Sequence, residues 1–149
     1  MIDDSHISYS DYELKCQHTF LGRLDTQLKR GHVAYKNYLL QKKIFLHARI
    51  LKIINDDIRQ LILSYCHVLP SEQQSYAIEL VSHIDIWSVL WDDYYDRFSP
   101  KIMDEFSFEN NFTFPKKAVD SLLCYYSDIT EKLTNDSELN IKNEKHSDF

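Results

Sequence analysis

The sequence predicts an all-α fold, a single-domain bundle of about four helices, and three observations predict it. The first is punctuation: 149 residues contain only 2 Gly and 3 Pro, too few turn residues for a sandwich or barrel of many short strands. The second is period, because apolar side chains recur every three or four positions through most of the chain. The third is the surplus of 10 Tyr, 8 Phe and 2 Trp, enough large apolar surface for one core without disulfides or structural metals.

The elements follow in order. Ser10-Asp11-Tyr12-Glu13 reads as a capping box, in which Ser10 accepts from the third backbone N–H and Glu13 reaches back. A helix follows to about Arg30, with Leu14, Gln17, Leu21, Leu24 and Leu28 on one stripe. Gly31 is the expected stop, since glycine readily takes the left-handed conformation at a helix end. A second helix is predicted from His32 to Val68, with a bend at Asn55-Asp56-Asp57 as an open alternative. Unbroken, it would run about 50 Å at ~1.5 Å per residue, long for a small domain.

Pro70 ends that segment, and Ser71 with Gln74 reads as the next capping box. The third helix runs to about Phe98, and its apolar residues cover so much of its circumference that a central position is expected. Ser99-Pro100 breaks the chain. Phe106, Phe108, Phe112 and Phe114 then alternate with polar residues. This pattern suits a Phe-rich extended strap or small hairpin between helices three and four, or a loop that tucks its rings under the bundle. A fourth helix follows Pro115, with Ala118, Leu122, Ile129 and Leu133 on its stripe. The bundle domain is thus expected over residues 1–134, with a polar, disordered tail over 135–149.

Charge is segregated. The net charge is −6, which opposes bulk nucleic-acid affinity. Yet Lys15 to Lys52 holds nine basic residues against the single acid Asp25, whereas Glu72 to Glu109 holds nine acids against Arg97 and Lys101. In the basic stretch Lys29, Arg30, His32, Lys36, Lys42 and Lys43 interleave with Tyr35 and Tyr38. These eight residues are the predicted partner-binding set. Such a stripe can dock an acidic protein by electrostatic steering, or track a phosphate backbone and stack bases. It can also face the acidic third helix within the bundle, or simply face water.

Catalytic signatures are weak. There is no G-x-S-x-G elbow and no C-x-x-C. Cys16, Cys66 and Cys124 sit in apolar helical patterns and are expected to be buried, reduced thiols, which points to the cytoplasm. The acidic N-terminus lacks the apolar core of a signal peptide. Apolar runs are interrupted by charge before the ~18 residues of a membrane span, so no membrane partner is expected. Asp92-Asp93-Tyr94-Tyr95-Asp96 matches the D-D-x-x-D pattern that holds magnesium diphosphate in isoprenoid synthases, although the likeness stops at five residues. Asp92, Asp93 and Asp96 are therefore the metal candidates, with His83 or Asp85 as neighbours, and no cofactor is expected.

The expected function is a small, soluble, non-catalytic interaction protein of regulator, adaptor, assembly-chaperone or toxin-neutralising type. It would bind a macromolecular partner through the basic Tyr-containing segment, an acidic helix, or both. The alternative is a metal-dependent helical enzyme acting on a phosphorylated substrate through the Asp cluster. A single-stranded nucleic-acid binder is the weaker alternative, and a homo-oligomer is compatible with each.

Overall fold

The computed structural model describes residues 9–146. It is an all-α bundle of four long helices: α1 (Asp11–Leu40), α2 (Phe45–Tyr65), α3 (Ser71–Phe98) and α4 (Lys116–His146), with a 3-10 turn over Cys66–Val68. The helices stand at the corners of a square. Both α1 and α3 pack against α2 and α4, and the pairs α1/α3 and α2/α4 are diagonals whose backbones do not approach closely. No described helix is long and apolar enough to cross a membrane.

The start of α1 follows the capping-box expectation: Ser10 N–H donates to Glu13 Oε2 at 3.0 Å, and Glu13 N–H to Ser10 Oγ at 3.2 Å. Its end does not. The helix runs through Gly31 and stops at Leu40. One glycine costs a helix about 1 kcal/mol, too little to break a segment whose Ala34 is buried beyond it. The true stop is a Schellman closure: Gln41 N–H donates to Asn37 O, and Lys43 N–H reaches back to Tyr38 O at 2.9 Å. Lys42 holds the left-handed position with φ 60°, and Lys43 follows with φ 53°.

The long second helix of the sequence reading is therefore two pieces, split at residues 41–44 rather than at Asn55-Asp56-Asp57. That triplet stays helical with its acids turned outward, where Asp56 meets Lys52 at 3.2 Å and Asp57 meets Arg30 at 3.1 Å. At α3 the predicted Ser71 capping box is not formed. Pro70 is the cap residue, Ser71 is already helical, and the Gln74 amide instead donates to Leu69 O at 2.7 Å. The chain leaves α3 through Ser99 in the left-handed region, ahead of Pro100.

The main core joins Leu21 and Leu24 of α1, Ile58 and Ile62 of α2, Leu80 and Ile84 of α3, and Leu122 and Ile129 of α4. Because α3 occupies a corner, it is not the central helix that its composition predicts. Ile78, Ile86 and Val89 face outward. Residues 135–146, expected as a disordered tail, continue α4 as mostly exposed helix.

Between α3 and α4 no strand forms among the described residues. The segment is an extended strap, with one isolated bridge between Ile44 and Glu105. The strap serves α2, whose N-terminus has no side-chain cap. Phe45 N–H donates to Asp104 O at 2.8 Å and Leu46 N–H to Ile102 O at 2.9 Å, so strap carbonyls satisfy two of the orphan donors. Of its four phenylalanines only Phe106 is fully buried; Phe112 and Phe114 are about half exposed. Phe106 joins Phe45, Ala48 and Trp91 in a second, smaller core.

The two glycines respond differently to an added methyl. At Gly31 a Cβ would meet only Ile54 Cγ2, at an ordinary 3.5 Å, whereas at Gly22 it would lie 3.3 Å from Tyr126 Oη. Gly31→Ala is expected to raise stability by about 0.5–1 kcal/mol, through better helix propensity and a less flexible unfolded chain. Gly22→Ala should gain less, because the Tyr126 ring must give way. Urea midpoints of the two variants check the order, and an equal or reversed order counts against this packing.

Candidate functional site: the basic corner and the aromatic cleft beside it

The basic segment divides by where its backbone carries it. Lys29 pairs with Asp25 one turn earlier at 2.8 Å, and this hydrogen bond raises its pKa. Arg30 bridges to Asp57 of α2 at 3.1 Å and also donates to Gln27. These two cations are used inside the bundle. By contrast, Lys36, Lys42 and Lys43 are exposed and make no ion pair among the described residues.

None of the acids of α3 pairs with them. Instead α3 engages α2: Asp85 takes Arg59 at 2.6 Å, and Asp92 approaches Lys52 at 4.0 Å. The intramolecular pairing considered from sequence thus involves α2 and leaves the end of α1 free.

The two tyrosines of the segment also part company. Tyr38 is half-buried in the second core, and its Oη donates to Phe106 O at 2.6 Å. Burial raises the pKa of this phenol above its ordinary value. Tyr35 is 51% exposed, with its ring centroid 6.3 Å from that of Tyr38. Only Tyr35 is therefore open to a partner's face.

Asp92, Asp93 and Asp96 stand exposed near the end of α3. Asp93 is held by Arg97 at 2.6 Å. Among the described residues no three His, Cys, Asp or Glu side chains group to hold a metal ion. The cysteines are all free, but the expectation of burial fails for Cys124, which faces outward on α4; Cys16 and Cys66 are half-buried. Burial pushes the Cys66 thiol above its ordinary pKa, towards the unreactive neutral form.

A feature that the sequence reading missed adjoins the basic corner. Phe114, just ahead of α4, packs edge-on against His83, with ring centroids 5.4 Å apart. The turns of α3 beyond His83 consequently have the strap, not α4, beside them. The thinner strap leaves a cleft of about 740 Å³. His32, Tyr35 and Tyr38 border it from α1; Trp87 and Trp91 from α3; Phe106, Phe108 and Phe114 from the strap. Lys43 reaches it from the α1–α2 corner, and neither Asp nor Glu lines it. Burial lowers the pKa of His83, so its imidazole is neutral at pH 7. The sequence signal for this cleft was the long connection from Ser99 to Pro115 with its period-two phenylalanines, which places the start of α4 well below the end of α3.

No protein-family model, curated protein or solved structure matches this chain.

Proposed function

We propose that this chain is a non-catalytic binding protein that docks an acidic protein surface on its α1–α2 corner, through Lys36, Lys42 and Lys43 with Tyr35 beside them. The observation that carries the reading is the backbone of that corner. Lys42 and Lys43 are consecutive non-glycine residues held at φ 60° and 53°. For an L-residue this conformation costs roughly 1–2 kcal/mol, and the position after a helix end ordinarily takes glycine. Strain kept where glycine would relieve it marks a position whose side chain is needed. Here the side chains are two exposed ammonium groups that make no ion pair among the described residues. Exposed apolar residues beside them, Leu39 and Leu40, supply area for a protein contact.

Two sets of variants test it. Lys42→Gly and Lys43→Gly are each expected to raise stability by about 0.5–1 kcal/mol, because they remove left-handed strain. They should nevertheless weaken partner capture. Charge reversal at Lys36, Lys42 and Lys43 together should abolish capture of acidic proteins from lysate, and raised salt should weaken capture by the unaltered chain. The same proteins captured by both forms would remove the corner from the site. Recovery of single-stranded nucleic acid instead, with affinity falling steeply with salt, would select the nucleic-acid reading.

A further inference from the structure

The cleft beside this corner has a chemistry of its own, which needs no macromolecular partner. Its volume of about 740 Å³ lies within the ~300–1,000 Å³ of small-molecule sites. Its walls are mainly aromatic and aliphatic, and both tryptophans of the chain, half-buried Trp87 and buried Trp91, belong to them. The polar groups are few and one-sided. Lys43 and His32 are both exposed and both line the cleft, which puts them at its mouth. His83, Asn55, Ser107 and Asn110 add uncharged polar groups, and no lining residue carries a negative charge.

We infer that the cleft binds a monoanionic amphiphile, a carboxylate on an apolar acyl or aryl body. The body lies against Trp87, Trp91 and Phe108, and the carboxylate sits at the mouth on Lys43. Each choice has a reason. Apolar walls of this extent reward burial of a hydrocarbon or ring. One permanent cation with no lining acid favours one negative charge and rejects an ammonium group. With Lys43 the one Lys or Arg among the lining residues, a dianion would leave charge uncompensated.

The two tryptophans make the test direct, because a ligand entering the cleft changes their emission. The purified full chain is titrated separately with dodecanoate, 2-naphthoate, dodecanol and dodecyltrimethylammonium, each below its micelle threshold. Dodecanoate, 2-naphthoate or both are expected to give a saturable, one-to-one change, and whichever binds identifies the body as acyl or aryl. The ammonium amphiphile should give none. Lys43→Asn, which suits the left-handed backbone, should weaken carboxylate binding by about tenfold, the lower end for one hydrogen bond to a charged group. It should leave dodecanol unchanged, and Lys43→Arg should retain carboxylate affinity. No saturable response to either carboxylate, equal binding of the ammonium compound, or unaltered carboxylate affinity in Lys43→Asn would each overturn the inference. The titration contains no protein partner, so failure of the corner to capture one does not bear on it.

Discussion

Phe106→Ala is expected to cost about 3–5 kcal/mol, the range for truncating a fully buried phenylalanine. With domains typically stable by ~5–15 kcal/mol, that is a large share of the total. Phe106 is 1% exposed. Its ring meets Trp91 at 4.9 Å, Tyr94 at 4.7 Å and Phe45 at 5.4 Å between centroids. Its backbone is fixed as well, with N–H donating to Lys43 O at 2.8 Å and its carbonyl accepting from Tyr38 Oη at 2.6 Å. The ring thus anchors the strap, and the strap carbonyls cap α2. Loss of the ring should loosen three things together: the second core, the start of α2 and one wall of the cleft. Urea denaturation should show a lower midpoint, and limited proteolysis should cut between Phe106 and Phe114 under native conditions. An unfolding free energy within about 1 kcal/mol of the unaltered chain, with the strap still resistant, would mean that the strap is not held in this way.

How the sequence could be read depended on how far away each element's partner lies. The start of α1 was legible because Ser10 and Glu13 cap each other within one turn. The end of α3 was legible because Pro100 forbids continuation. The end of α1 was misplaced because the left-handed position after the helix holds Lys42, and Gly31 is an interior helical glycine. The start of α2 carried no local signal at all, since its caps are carbonyls of Ile102 and Asp104, nearly sixty residues later. For α3, period and composition identified the buried Leu80, Ile84 and Trp91. They could not show that Ile86 and Val89 face outward, because this depends on which corner the helix takes. The segregation of charge was legible, but its meaning required the tertiary arrangement: the two stretches meet where Lys52 of α2 approaches Asp92 of α3, while Lys36, Lys42 and Lys43 make no ion pair among the described residues. The cleft is set by the offset between α3 and α4, a tertiary relation that no single segment encodes.

The last expectation concerns the one buried polar side chain among the described residues. Gln17 is fully buried, and its Oε1 accepts a hydrogen bond from Tyr125 Oη of α4. Its Nε2 has no partner among the described residues. Removing one half of such a pair should therefore cost more than removing both. Tyr125→Phe leaves the Gln17 amide with neither donor nor acceptor satisfied and is expected to cost about 1–3 kcal/mol. Gln17→Leu removes the orphaned amide, and half-buried Tyr125 can turn its hydroxyl to water, so the expected change is within about 1 kcal/mol of zero. The double variant, apolar on both sides, should be at least as stable as the unaltered chain. The cycle should then show a coupling of about 1–3 kcal/mol between α1 and α4. The pH dependence gives a second readout. Burial, with Tyr9 nearby, pushes the Tyr125 phenol up to about 12 from its ordinary 10. A phenol raised in the folded state contributes stability that is full below pH 10 and is lost as pH climbs towards 12, because the unfolded chain ionises first. Tyr125→Phe should flatten that alkaline loss. Additive single effects together with an unchanged alkaline slope would show that Gln17 and Tyr125 act independently.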